Sequence, residues 1–219
     1  MTQTHLSSWI TPVTLDCPGV VRTIRLVPLE AHHAADLFTG ADRELFRHTM
    51  QAPPEWSVRG FELELTRVCS LPGTVAFAIV LACDDRNMRA GQAIGRTTFM
   101  DIKPDHRGLE IGRTWIGRAY HGTRVNPEAK YLMLRHAFES LSPTAIRVQL
   151  TTNGTNVHSQ AAIAKLGAAR EGVLRKARIM PAALDRTEPV ISDWVYYSIV
   201  DDEWPEVKAQ LEQRLSRMS

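Results

Sequence analysis

The sequence predicts a layered α/β or α+β domain built around a mixed β-sheet. Segments with alternating apolar residues are interspersed with segments whose apolar residues recur at helical spacing, and prolines and glycines punctuate them. A chain of 219 residues is long enough to bury one substantial core. Its hydrophobic fraction of 44% and charged fraction of 23% are ordinary for a globular protein, which argues against disorder and against a fibrous architecture.

The elements follow in order from these local patterns. Residues 1–20 have no periodic pattern, so we predict an irregular lead-in before a single domain over residues 21–219. Strands are predicted where apolar residues alternate or run together between turns: residues 21–28, 75–82, 92–101, 109–116, 146–152, 171–179 and 193–200. Helices are predicted where apolar residues form one face: residues 30–38, 58–70, 126–141, 156–166 and 202–217.

Turn and cap residues support this assignment. Ser57 is a suitable N-cap for the helix over residues 58–70. A polar turn over residues 84–89 separates the second and third strands, which are therefore predicted to pair as a β-hairpin. Gly167 directly follows the fourth helix and has the residue type expected at the C′ position.

Charge and cysteine content exclude several classes of protein. A net charge of +2 gives no general electrostatic footprint for nucleic acid or an anionic membrane. Cys17, Cys69 and Cys83 are widely spaced and lack metal-site spacing, so neither a disulfide framework nor a metal centre is predicted. The sequence begins with no signal-like segment and has no apolar run of membrane-spanning length, so we expect a cytoplasmic protein.

The most informative stretch is the fourth predicted strand with the turn and helix that follow it. The turn over residues 120–126 leads directly into the helix, so unpaired backbone N–H groups and the positive end of a helix dipole converge there. It lacks the Lys-Ser or Lys-Thr ending of a Walker A loop and is not a dinucleotide fingerprint. The pattern predicts a site for a phosphate-bearing cofactor, with a mere connection as the alternative.

Four further motifs follow this strand-turn-helix at residues 114–138. They are N-x-x-S at 156–159, K-L-G-A at 165–168, E-G-x-L-R at 171–175 and Y-S-I-V-x-x-E-W-P at 197–205. With these motifs in this order, the chain resembles the GCN5-related N-acetyltransferases (GNAT superfamily), and within it the branch of ribosomal-protein alanine Nα-acetyltransferases. The resemblance covers residues 21–215. It implies the GNAT acyl-CoA N-acyltransferase fold, with a mostly antiparallel central sheet, and acetyl-CoA as cosubstrate.

The resemblance also implies roles for the residues around the turn. The backbone of Trp115 and Ile116 would pair with the pantetheine arm. The residues that would wrap the pyrophosphate are His121, Gly122, Thr123, Arg124, Val125 and Asn126. Superfamily members commonly read R-G-x-G-x-G/A here, and this chain keeps only Gly122. Because the donors are backbone N–H groups, side chains can vary, and the Arg124 side chain could add a charge-assisted phosphate contact.

Two residues of the N-x-x-S motif have an implied role and a structural alternative. By the resemblance, Asn156 would hydrogen-bond the pantetheine amides, and Ser159 would stabilise or protonate the departing thiolate. From the residues alone, Asn156 is equally a favoured helix N-cap, and a serine in the next turn is unremarkable. Both interpretations stay open at the level of sequence.

Acetyl transfer to an amine needs the neutral amine, so a carboxylate acting as base through a water would accelerate it. Glu110 is the candidate, because its place on the fourth strand is where histone-type members of the superfamily carry a base. Strict alternation would place it on one face with Gly112, Thr114 and Ile116. The alternative is a solvated strand glutamate.

One departure from the family concerns Arg178. It falls where the ribosomal-protein enzymes carry a carboxylate proposed to hold the catalytic water. A guanidinium cannot act as a base at neutral pH. Either Glu110 substitutes, or the acceptor is acidic and Arg178 binds it, or turnover has been lost.

Together these observations predict an N-acetyltransferase that acts by direct attack of a primary amine, since no activated Cys or Ser/His pair is present. The acceptor, a protein N-terminus or a small-molecule amine, is not encoded in any short motif, and neither is the choice between monomer and homodimer. Two alternatives remain: a non-catalytic acetyl-CoA-binding sensor or interaction module, and a nucleotide-binding protein.

Overall fold

A computed structural model of the chain describes residues 9–50, 52–85, 88–182 and 187–218. Seven strands form one sheet: β1 (Ile24–Pro28), β2 (Val75–Leu81), β3 (Ala93–Lys103), β4 (Gly108–Ile116), β5 (Arg147–Asn153), β6 (Ala169–Met180) and β7 (Val190–Val200). Their order in the sheet is β1-β2-β3-β4-β5-β7-β6. Every neighbouring pair is antiparallel except β4 and β5, which are parallel.

Within the described residues five α-helices flank the sheet: α1 (Ala34–Gly40), α2 (Val58–Cys69), α3 (Val125–Arg135), α4 (Val157–Ala164) and α5 (Trp204–Arg217). Short 3-10 helices lie at Ala31–His33, Arg43–Phe46, Pro104–His106 and Arg118–Tyr120. None of the helices in the described part of the chain is both long and apolar enough to span a membrane.

Each predicted strand and helix is present, with shifts at the ends. The helix predicted over residues 126–141 is α3 followed by a π-helical turn, His136–Ser140. Ser57 caps α2 as predicted, because its hydroxyl accepts a hydrogen bond from Gly60 N at 3.0 Å. The first eight residues of the predicted lead-in, and Arg86 and Asn87 of the predicted hairpin turn, lie outside the described residues.

The sheet separates two hydrophobic clusters. The larger one joins the sheet to α3, α4 and α5, and it includes Trp9 and Ile10 from the lead-in. The smaller one joins the sheet to α1 and α2 and includes Trp115 from β4. Leu15 also pairs with Leu26 of β1 in an isolated bridge. The described part of the lead-in thus packs against the core. The predicted boundary between residues 1–20 and a single domain over residues 21–219 stays a prediction.

The parallel pair at the centre of the sheet opens into a split. Pairing between β4 and β5 covers only three positions and ends where Glu110 is opposite Gln149. Beyond that point β4 continues to Ile116 and β5 to Asn153. The facing edges of the two strands are therefore not paired with each other along the split.

A β-bulge interrupts β4 within this open stretch. In the register with β3, Thr98 is opposite Gly112 and Arg96 is opposite Trp115, so β4 carries one extra residue. Arg113 in the bulge has a φ of 50°. The extra residue reverses the alternation, so Thr114 and Ile116 face α3 whereas Glu110 and Gly112 face the α1 and α2 side. The prediction that all four share one face is wrong for this reason.

Candidate active site

The open edge of β4 presents the backbone of Ile116 to the split. Gly117 N donates to Ile94 O at 2.8 Å, and Ile116 is opposite Gly95 in the register with β3. Because peptide groups alternate between the two edges of an antiparallel strand, those of Ile116 point into the split and those of Trp115 point to β3. The predicted backbone pairing with the pantetheine arm is thus corrected for Trp115, whose peptide groups face β3, and stays a prediction for Ile116. The Ile116 carbonyl accepts a hydrogen bond from His121 Nε2 at 2.9 Å.

The turn between β4 and α3 carries backbone donors without acceptors. The N–H groups of Gly122, Arg124 and Asn126 make no hydrogen bond to any described residue. Gly122 has a φ of 75°, and the space where a Cβ would lie is open to 4 Å. His121, Thr123 and Val125 instead donate their N–H groups within the turn. Unpaired N–H groups at a helix N-terminus suit a phosphate oxygen.

The side chain of Arg124 is committed elsewhere. It is 9% exposed, and its guanidinium donates to Glu128 Oε1 at 2.6 Å, to Met218 O at 2.9 Å and to Val20 O at 3.3 Å. Glu128 in turn is fully buried. Arg124 therefore ties α3 to the lead-in and to the end of α5. The expected side-chain contact with phosphate is corrected accordingly, and only the backbone N–H of Arg124 stays in the predicted site.

Asn156 and Ser159 lie at the start of α4, after the end of β5. Asn156 Oδ1 accepts from Ser159 N at 3.0 Å, which is an N-cap hydrogen bond. The amide nitrogen of Asn156 makes no hydrogen bond within the described chain, so the cap leaves it free to donate. The capping role is thus present, and it is compatible with a second role toward a ligand. The roles of both residues toward pantetheine and thiolate stay predictions.

Glu110 is buried where β4 and β5 part, with 7% of its surface exposed. Its Oε2 accepts from Gln149 Nε2 at 2.9 Å, and its Oε1 accepts from Thr151 Oγ1 at 2.8 Å. A Cβ at Gly112 would lie 3.2 Å from Glu110 Oε1 and 2.6 Å from Met100 Sδ, so glycine leaves the room this carboxylate needs. The alternative of a solvated strand glutamate is therefore wrong.

A chain of contacts links Glu110 to Arg178. The Thr151 hydroxyl, which donates to Glu110, accepts a hydrogen bond from Trp194 Nε1 at 2.8 Å. The Arg178 guanidinium lies over the same indole, 5.9 Å from the ring centroid. Such a cation over an indole face is attractive. Glu110 and Arg178 thus belong to one cluster on four neighbouring strands, β4, β5, β7 and β6.

The partners of Glu110 were not predicted from the sequence, namely Gln149, Thr151 and Trp194. A signal for the first two was present, since polar residues 149 and 151 alternate on β5 with the apolar Val148 and Leu150. No sequence pattern indicated Trp194, because its closeness to Thr151 depends on the pairing of β5 with β7. Among the described residues there is no group of three or more His, Cys, Asp or Glu that could hold a metal ion.

The fold and the site together define a class of protein. The mostly antiparallel sheet and the turn of free N–H groups after β4 agree with the fold and the cofactor turn that the resemblance implies for an acyl-CoA-dependent acyltransferase. The acetyltransferase (GNAT) domain family matches residues 23–169. The chain therefore belongs to the GNAT acetyltransferase family, whose members use acetyl-CoA as cosubstrate.

Solved structures agree with this assignment. A structure described as an acetyltransferase from T. thermophilus is 36% identical over 94% of this chain and 99% of that chain, with a TM-score of 0.80. A GCN5-related N-acetyltransferase from Brucella melitensis is 22% identical over 95% of this chain and 88% of that chain, with a TM-score of 0.80. No curated protein matches the sequence significantly.

The chain also resembles a solved structure at lower sequence identity. Mycobacterium smegmatis RimJ in complex with CoA-disulfide is 20% identical over 93% of this chain and 95% of that chain, with a TM-score of 0.70. At this identity the likeness shows the fold. A likeness of this kind does not identify the acceptor of the acetyl group.

Proposed function

We propose that this protein transfers the acetyl group of acetyl-CoA to a primary amine by direct attack, with Glu110 as the general base. Membership of the family supplies the donor and the acyl transfer. The amine acceptor and the role of Glu110 are the further steps of the proposal. A protein N-terminus and a small-molecule amine are both acceptors of the required chemistry.

The observation that carries the proposal is the setting of the Glu110 carboxylate. It is buried at the point where β4 and β5 separate, and its two hydrogen-bond donors are the neutral side chains of Gln149 and Thr151. An ionised carboxylate has about four acceptor positions, so two are left for an amine or a water. Neutral donors orient the carboxylate. An ion pair with a cation would make it a weaker proton acceptor, and neither donor is charged.

Acetyl-CoA, when bound, supplies the activated acyl group, and the residues around the split suit its parts. The free N–H groups of Gly122, Arg124 and Asn126 are donors for the pyrophosphate, and the peptide of Ile116 faces the place of the pantetheine arm. The amide nitrogen of Asn156 and the hydroxyl of Ser159 lie across the split at the start of α4. Such preorganised donors lower the barrier mainly by positioning and by stabilising developing charge.

Glu110 has one chemical task in this scheme. An ammonium has no lone pair, so the acceptor must lose a proton before its nitrogen forms a bond to the acyl carbon. Glu110 accepts that proton, directly or through a water. Removing a general base of this kind slows the chemical step by roughly 10²- to 10⁴-fold.

The test is thiol release from acetyl-CoA in the presence of a panel of amines that includes peptides with free N-termini, polyamines and amine-bearing antibiotics. On the best acceptor we expect Glu110→Gln to lower kcat by roughly 10²-fold or more while the Kd for acetyl-CoA stays unchanged. Glu206→Gln, on the exposed face of α5, is the matched control and retains full activity. Equal kcat values for wild type and Glu110→Gln across the pH range would remove Glu110 from the mechanism.

The second candidate function is a non-catalytic acetyl-CoA sensor. It is favoured by the loss of the later glycines in the turn, where Arg124 and Asn126 stand. A sensor binds acetyl-CoA in calorimetry but releases no thiol with any amine. Turnover on a single amine removes this candidate.

Arg178 supports a narrower form of the proposal, in which the acceptor carries an acidic group near the reacting amine. Its guanidinium is on the same contact chain as the base, through Trp194 and Thr151. We expect Arg178→Gln to raise KM for acidic amines more than for neutral ones. Arg175→Gln, exposed on the same strand, is the control. Equal changes in KM for both kinds of amine would exclude recognition of the acidic group by Arg178.

A further inference from the structure

Lys130 is a buried lysine that neither the motifs nor the proposed mechanism uses. It lies in the middle of α3 and is 6% exposed. Its ammonium nitrogen donates to Thr114 Oγ1 at 2.7 Å. Lysine is almost never this buried without a partner that compensates its charge. Lys130 forms no ion pair within the described residues, so no carboxylate in direct contact offsets the cost of burying its charge. Another reason is needed for a lysine at this position.

Lys130 contacts β4 within the stretch that does not pair with β5. Thr114 lies beyond Glu110, the last residue of β4 that pairs with β5, and directly after the bulge at Arg113. The bulge turns the Thr114 side chain toward α3, where its hydroxyl also meets Thr97 Oγ1 at 2.7 Å. The lysine thus reaches from α3 to a residue of β4 that lies between Glu110 and Ile116, on the face of the sheet that α3 covers.

The ammonium has donor capacity to spare. It carries three N–H donors, and one of them is used by Thr114. Burial lowers the pKa of Lys130 to about 7, and the nearby Glu110 carboxylate is the charged group that opposes this shift. At neutral pH the amine is therefore close to the point where it exchanges a proton. A group of this kind suits a partner that becomes negatively charged during a reaction.

We propose that Lys130 is a catalytic residue that donates to the sulfur of acetyl-CoA and stabilises the thiolate as it leaves. The inference rests on the proposed function. The acceptor nitrogen forms a bond to the acyl carbon, the carbon–sulfur bond breaks, and its electron pair goes to sulfur. Glu110 takes the proton that the amine loses. Lys130 gives a proton to the sulfur and regains one from solvent, so the products are the acetylated amine and CoA thiol.

The proposal is tested by the ionisation of CoA bound in the absence of any acceptor. The thiolate absorbs in the ultraviolet, so a pH titration of the complex gives the thiol pKa directly. We expect bound CoA in the wild type to ionise at least tenfold more readily than free CoA. Lys130→Met should lose this shift, and Thr114→Val, which removes the anchor of the ammonium, should reduce it. Lys165→Met, an exposed lysine of the same chain, should leave it unchanged.

The kinetic counterpart is a fall in kcat of roughly 10²-fold for Lys130→Met, with the Kd for acetyl-CoA changed less than about threefold. If Lys130→Met binds CoA with the wild-type thiol ionisation, the proposal is overturned. If Ser159→Ala loses the shift and Lys130→Met keeps it, the sulfur partner is Ser159. If Lys130→Met does not fold, the thiol ionisation of CoA bound to Thr114→Val provides an independent test.

The two proposals fail in different ways. A wild type that binds CoA but releases no thiol with any amine overturns the proposed function, and with it the role of Lys130 in that reaction. A wild type that turns over, beside a Lys130→Met variant with the same kcat and the same thiol ionisation, overturns only the role of Lys130.

Discussion

The Thr151 hydroxyl donates to the Glu110 carboxylate at 2.8 Å and accepts from the Trp194 indole at the same distance. An indole N–H can only donate, so the direction of both hydrogen bonds is fixed. The hydroxyl proton must therefore point at Glu110. This arrangement orients the base candidate through a residue of β5 and a residue of β7, neither of which a family motif contains.

Thr151→Val is expected to lower kcat about tenfold, which corresponds to about 1.4 kcal/mol in activation free energy. The variant removes one donor from Glu110 and leaves the indole N–H of Trp194 without its acceptor. The Kd for acetyl-CoA should not change, because the hydroxyl faces the base and not the turn. Thr151→Ser keeps the hydroxyl and should restore kcat. Steady-state kinetics with calorimetric binding checks this, and an unchanged kcat in Thr151→Val contradicts it.

The buried ion pair between Arg96 and Glu64 should dominate the stability of the α2 side. The two side chains are 2% and 3% exposed and meet at 2.6 Å. Arg96 also donates to the Arg113 carbonyl at 2.9 Å and so holds the bulge. Glu64→Ala leaves the guanidinium buried and unpaired, and we expect a loss of about 3–5 kcal/mol in the free energy of unfolding.

The control for that variant is Glu62→Ala, which breaks the exposed pair between Arg59 and Glu62 on the same helix. Exposed pairs contribute about 0–1 kcal/mol. Urea denaturation measures both variants. Similar losses in the two would show that the buried pair contributes no more to stability than the exposed one.

Arg124→Met separates a structural role from a phosphate-binding role. The variant leaves the buried Glu128 without its cation, although the backbone N–H groups of Arg22 and Thr23 still donate to that carboxylate. We expect a loss of about 3 kcal/mol in stability. The Kd for acetyl-CoA should change less than about threefold at a temperature where the variant is folded, because the backbone N–H remains. A large loss of affinity for acetyl-CoA with unchanged stability would instead indicate that the Arg124 side chain contacts the phosphate.

Lys130 predicts how stability depends on pH. Burial lowers its pKa from 10.5 to about 7, so between these values the unfolded chain binds more protons than the folded one. Stability therefore rises with pH across this window, by up to about 1.4 kcal/mol per pH unit. Lys130→Met removes this contribution and should be more stable than the wild type at pH 7.

Urea midpoints of the wild type, Lys130→Met and Lys165→Met at pH 7 and pH 9 check this expectation. Lys165→Met should keep the wild-type difference between the two pH values. If Lys130→Met keeps that difference as well, the lysine does not titrate in this window. A variant that gains stability and loses turnover would indicate that the buried amine is retained for its chemistry.

Local pattern was sufficient for the secondary structure and for the order of the motifs. The helices and strands were predicted because apolar periodicity and turn residues act over a few positions along the chain. The turn over residues 120–126 was predicted as a phosphate site for the same reason, since a strand, a turn and a helix are consecutive in sequence, and that role stays a prediction. Glu110 was identified by its place on β4, and the structure adds that it is buried.

Contacts between distant segments could not be predicted in this way. One inserted residue at Arg113 reverses which face Thr114 and Ile116 occupy, and strict alternation had placed them with Glu110. A positively charged side chain at Arg124 suggested phosphate binding, whereas the nearest anion is the buried carboxylate of Glu128.

The sequence by itself determined the family, the elements and the turn that suits a pyrophosphate, because these depend on residues that are neighbours in the chain. Tertiary structure decided which side chains surround Glu110, the proposed base. Strand pairing brings Thr151 and Trp194 to Glu110, and the packing of α3 on the sheet brings Lys130 to Thr114. Burial then sets hydrogen-bond partners and protonation, and burial is a property of the folded chain.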